Sequence, residues 1–197
     1  MPRRRYLFET PDRFVAGTVG APGNRTFFLQ ARDGTRIVSV ALEKVQVAAL
    51  AQRLGDLLDE LERRGVEGSE DQPDLLGDTA ALDEPINEAF RVGVLSIGWD
   101  TADELIVLEA RELTEADEDA EEEAEGEEEG EEEAFANDDD EDGPDLMRIR
   151  LTPASVREFI VRALRVVAAG RPPCPLCGQP LDPQGHLCPR RNGHLLN

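Results

Sequence analysis

A recurrence of local pattern between its two halves limits how this chain can fold more than any other feature. Phe14-x-x-Gly17-x-Val19 returns as Phe90-x-x-Gly93-x-Leu95, and Leu29-Gln30-Ala31-Arg32 returns as Leu108-Glu109-Ala110-Arg111. In the first half, Phe14–Val19 and Thr26–Gln30 read as strands. They are joined by Gly20-Ala21-Pro22-Gly23-Asn24, a run of turn formers that signals a hairpin. Asp33-Gly34 is suited to a tight turn and leads into a third strand, Ile37–Leu42. A helix follows over Val45–Arg64, because Val47, Leu50, Leu54, Leu57, Leu58 and Leu61 recur at helical spacing on one face. Gly65 ends it.

The second half repeats the order. Strands around Phe90–Leu95, Leu108–Arg111 and Met147–Leu151 precede Thr152-Pro153, an N-cap and first-turn proline that open a helix to Ala169. Its predicted core face is Val156, Phe159, Ile160, Ala163, Leu164 and Val167. The expectation is an α+β fold built from a tandem strand-strand-strand-helix repeat, residues 14–64 and 88–169, within a domain spanning 1–170. A polar, Gly- and Pro-broken linker, 65–85, separates the units. Neither unit buries enough apolar surface alone, so they are expected to share one mixed sheet or a barrel-like core with two helices over it. Gly17 and Gly93, at matching places, mark a bulge or a close backbone approach.

Charge is distributed unevenly. Residues 115–142 hold 19 acidic side chains and no basic one, so the formal charge of −22 leaves −22 + 19 = −3 for the rest. The repeat places this run where Asp33-Gly34 stands in the first half, which makes it an expanded hairpin loop. Loop lengthening costs only about 0.6 kcal/mol per doubling. With Phe135 as its one large apolar residue, an insertion over 114–143 is expected to be disordered.

All three cysteines and both histidines lie in Cys174–Asn197, CPLCGQPLDPQGHLCPRRNGHLLN. Cys174-Pro-Leu-Cys177-Gly has the form of a zinc knuckle. Asp182-Pro183-Gln184-Gly185 is a strong β-turn signal that folds His186 and Cys188 back toward it. Cys174, Cys177, His186 and Cys188 make a tetrahedral ligand set of suitable softness, with His194 the alternative fourth ligand. Four protein ligands within 15 residues, with the nearest carboxylate, Asp182, taken up in the turn, point to structural zinc in a tail over 171–197, folded chiefly by its metal.

An N-terminal RRRYLFETPDRFVAGTVG, a last helix running into GRPPCPLCGQPLDP, and GHLCPRRNG together resemble an uncharacterised family of actinobacterial conserved hypothetical proteins. That resemblance implies a cytosolic protein without an assigned activity and brings no catalytic residues.

No window reaches the roughly 18 consecutive apolar residues of a membrane span, and Met1-Pro-Arg-Arg-Arg-Tyr6 lacks the apolar core of a secretion signal. An odd cysteine count suits a reduced, cytoplasmic metal site. The leading expectation is therefore a non-enzymatic regulatory or adaptor protein that binds another protein. Nucleic-acid binding is the alternative, through Arg3, Arg4, Arg5, Arg171, Arg190 and Arg191 with Tyr6 or Phe8 stacking on a base. It is opposed by the acidic run, which would repel a polyanion. An enzyme with a site at the repeat interface would draw on Asp12, Asp33, Asp100, Asp103, Glu104 and Glu109, with Trp99 lining a pocket. An open sheet edge would also allow a homodimer.

Overall fold

The computed structural model describes residues 3–21, 23–66, 78–114, 135, 143–170 and 174–177. The strands are β1 (Arg5–Phe8), β2 (Arg13–Ala21), β3 (Asn24–Asp33), β4 (Arg36–Leu42), β5 (Glu88–Asp100), β6 (Leu105–Glu112) and β7 (Leu146–Leu151). Helix α1 (Lys44–Arg63) follows β4, and α2 (Pro153–Ala168) follows β7. The fold is thus mixed α+β, as expected. All seven strands form one open sheet in the order β1-β7-β6-β5-β4-β3-β2, side by side and not closed into a barrel.

β2–β3–β4 and β5–β6–β7 are each antiparallel meanders, and β4 runs parallel to β5 where they meet. Both helices cover one face. Alternation along the strands sends Phe14, Ala16, Leu29, Ala31, Ile106, Leu108, Met147 and Ile149 into the same core as Leu50, Leu54, Val156 and Phe159. Phe14 stacks on Phe159 with ring centroids 4.8 Å apart, which ties the start of β2 to α2.

Three features depart from the expectation. β1 pairs in parallel with β7, and Arg4 fastens it by donating from its backbone N and Nε to Asp145. The end of the predicted linker and the residues just after it, 78–87, lie against the opposite sheet face, where Leu82 and Ile86 pack on Val15, Phe28 and Ala41. Leu164 is 51% exposed, and its expected place in the apolar stripe goes to Arg162, 5% exposed. The stripe turns toward residues 159, 162 and 163 because α2 packs against β2 as well as α1.

Gly17 and Gly93 do mark close approaches. A Cβ on Gly17 would stand 2.6 Å from Leu82, and one on Gly93 would stand 2.8 Å from the Leu113 Cα. Gly93 also sits within a β-bulge between Val92 and Val94. At the base of the acidic insertion, Glu112 N donates to Asp145 O at 2.8 Å and Leu113 N to Arg91 O at 2.8 Å. Residues 115–134 and 136–142, on which the expectation of disorder rests, lie outside the described residues.

Candidate functional site

In the tail, Cys174 and Cys177 are described, while His186, Cys188 and His194 lie outside the described residues. Cys174 is 6% exposed and Cys177 half-buried, at the two ends of a turn through 175–177. Neither forms a disulfide. Two reduced thiols bracketing one turn suit a thiolate-binding metal. What zinc would supply at Cys174, Cys177, His186 and Cys188 is folding free energy for a segment with few apolar residues.

The sheet face away from the helices carries the domain's polar chemistry. Glu109 is fully buried in the middle of β6, and Arg148 across the ladder grips its Oε2 through Nε and Nη2 at 2.9 and 2.7 Å. Ser96 is its other cross-strand partner. In the other meander Gln30, 1% exposed, holds the equivalent central place in β3. It donates to Ser39 Oγ at 3.0 Å and to Asp83 O at 2.9 Å, and accepts from Asp83 N at 2.7 Å. That amide thereby binds the 78–87 segment as a neighbouring strand would.

A denser cluster surrounds Asp78. Arg13 donates to both of its carboxylate oxygens, and Arg162 Nη1 reaches its Oδ1 at 2.9 Å and its carbonyl oxygen at 2.8 Å. Arg165 also donates to that carbonyl, and Arg162 Nε to Ala16 O. Asp83 takes a second arm of Arg13 at 2.8 Å. The Arg13 hydrogen bonds hold the Asp78 carboxyl below its ordinary range, while burial pushes the Arg162 guanidinium down. Beside the cluster is a cleft of about 130 Å³ between β2 and α2, lined by Asp12, Arg13, Asp78, Ser155, Glu158 and Arg162. Ligand pockets for drug-sized molecules run to roughly 300–1,000 Å³. Sequence reasoning singled out none of Arg13, Asp78 or Arg162. Arg162, in the apolar stripe between Phe159 and Ala163, was the available signal.

Of the carboxylates expected near strand ends, Asp100 and Asp103 meet on Arg150, which also bonds Glu9 at 3.3 Å. Backbone N–H groups of Ala102 and Asp103 draw the Asp100 carboxyl down. Asp12 accepts from Gly34 N at 2.8 Å, Asp33 ends the β3–β4 ladder opposite Arg36, and Glu104 is exposed in the β5–β6 turn. Trp99 packs against the core. Of the groups proposed for nucleic acid, Arg171, Arg190 and Arg191 lie outside the described residues, and three of the others are engaged. Arg4 is paired with Asp145, Tyr6 stacks on Phe90, and Phe8 is 2% exposed beneath the Arg36 guanidinium.

The family described as "Protein of unknown function (DUF3090)" matches residues 6–188. The chain belongs to this family. No curated protein and no solved structure matches it. The family match takes in both meanders, the acidic insertion and the tail as far as Cys188. Among the described residues no helix is long and apolar enough to cross a membrane.

Proposed function

We propose that this member of the family is a non-enzymatic cytosolic adaptor whose tail, held by structural zinc on Cys174, Cys177, His186 and Cys188, is a rigid docking element for another protein. The observation that carries the reading is Cys174, reduced and 6% exposed, at one end of the turn that ends at Cys177. Support for His186 over His194 comes from the family match, which ends at Cys188 and leaves His194 outside.

The domain behind the tail is read as a duplicated unit. Each meander has a glycine closely approached by another residue, Gly17 by Leu82 and Gly93 by Leu113 at the end of β6. Each also has one fully buried polar side chain at the matching place of its central strand, Gln30 or Glu109. The carboxylates Asp78, Asp83, Asp100, Asp145 and Glu109 brace the fold through arginines. The hydrogen bonds that hold the Asp78 and Asp100 carboxyls below their ordinary range make these two weaker proton acceptors than a free carboxylate.

The reading is tested by native mass spectrometry and metal analysis of the purified chain. One zinc per chain is expected, lost on Cys174→Ser, with chelation of the parent making all three thiols readily alkylated. A metal-free protein with freely reactive thiols would overturn it. A pull-down comparing the full chain with one ending at residue 170 tests docking. Equal partner recovery from both would remove the tail's role.

A further inference from the structure

Ser155, Glu158, Phe159 and Arg162 fall on one stripe of α2, and that stripe is a wall of the cleft beside β2. An acid and a base four residues apart on a helix are neighbours and ordinarily pair. Glu158 and Arg162 do not. Arg162 is drawn inward, with Nε donating to Ala16 O at 2.6 Å and Nη1 to the carbonyl and carboxylate of Asp78 at 2.8 and 2.9 Å. Its Nη2 has no hydrogen-bond partner among the described residues, although Arg162 is only 5% exposed. That nitrogen is not among those sealed from solvent, so its N–H groups open on the cleft that Arg162 lines. Glu158 is exposed and makes no ion pair or hydrogen bond among the described residues. Two opposite charges therefore stand one helical turn apart on the same wall, unjoined.

The rest of the lining narrows what could join them. Asp78 is taken up by Arg13 and Arg162, and Arg13 by Asp78 and Asp83, so those charges offset one another within the cluster. What the cleft leaves over is Arg162 Nη2 with two carboxylates, Glu158 and Asp12, the latter holding Gly34 N at 2.8 Å through Oδ2 alone. A plain anion would meet those carboxylates, and a plain amine would leave Nη2 without an acceptor. A molecule with a carboxylate beside an ammonium satisfies both. The stacked rings of Phe14 and Phe159 offer an apolar surface to a short side chain. A volume of about 130 Å³, well below the roughly 300 Å³ at which drug-sized pockets begin, restricts the ligand to a small one.

We infer that this cleft binds a small α-amino acid, its carboxylate on Arg162 Nη2 and its ammonium on Glu158 and Asp12. Ala16 O and Asp78 hold the Arg162 side chain in place before the ligand arrives, so little ordering cost remains for binding. The site is independent of the zinc reading. It takes no residue from the tail, and its assay reads neither metal nor partner protein, so failure of one leaves the other standing.

L-Alanine and L-serine are titrated into the full-length protein and followed by saturation-transfer NMR, with acetate and ethylamine as ligands that each carry one of the two charged groups. Both amino acids are expected to bind, and acetate and ethylamine at least about tenfold more weakly, since each leaves one charged group of the cleft unmet. Glu158→Gln is expected to weaken the amino acids by at least about tenfold without weakening acetate. Glu158 is exposed, so this variant keeps the fold, and the comparison of ligands on the parent needs no variant. Absence of binding by both amino acids would overturn the proposal. So would acetate matching L-alanine, because an anion alone would then account for the site, or an unchanged affinity for L-alanine in Glu158→Gln.

Discussion

Asp78 shows how much of this fold rests on single ion pairs. Its carboxylate joins Arg13 on β2 to Arg162 on α2, and Arg162 is nearly fully buried. Asp78→Asn leaves that guanidinium opposite an amide and is expected to cost about 3 kcal/mol at neutral pH, the low end for breaking a buried pair because Asp78 is partly exposed. The folded protein holds this carboxyl below its ordinary 3.8. The stability it contributes is therefore fully present above that value and lost as pH falls through the lower folded-state pKa. Urea melts of parent and variant should differ at pH 7 and converge in stronger acid. An equal gap at both would contradict the account. The cluster was hidden in the sequence because Asp78 lies in a polar stretch whose neighbours gave no periodicity, and 65 positions of chain separate it from Arg13.

Among the elements, helices were the most legible. The stripe Val47, Leu50, Leu54, Leu58, Leu61 is buried as its spacing requires, and Thr152 caps α2 by accepting from Ser155 N at 3.2 Å. Thr152→Ala is expected to lower stability by about 1 kcal/mol, read as a shift in denaturant midpoint at unchanged slope. An unchanged midpoint would mean the cap is replaced by another acceptor. β1 was illegible for a physical reason. It is four residues long, follows a run of arginines, and is defined by its pairing with β7 rather than by any pattern of its own. Residues 78–87 were similarly opaque, since Leu82 and Ile86 acquire meaning only when Gly17 and Gln30 are beneath them.

For the molecule as a whole, the acidic insertion is expected to be a thermodynamic burden that the fold carries easily. Replacing residues 115–142 with a short turn shortens the β6–β7 connection by about two halvings and should raise stability by roughly 1 kcal/mol. Equilibrium unfolding of the shortened and full chains checks this. A clear loss of stability would show that the insertion braces the sheet. The stem itself is fixed by Glu112, Leu113 and Asp145, so the sheet should survive the excision.

Periodicity and turn chemistry determined the three-strand-and-helix order of each half, the position of the acidic run between β6 and β7, and the mixed α+β class. Those follow from local sequence, because strand and helix differ in the spacing of their apolar residues. The tertiary structure alone decided that the sheet stays open, that β1 joins its far edge, and that 78–87 crosses the free face. It alone brought Asp78 to Arg13 and Arg162. Such contacts join residues remote in the chain, and no local pattern records a partner that arrives through space.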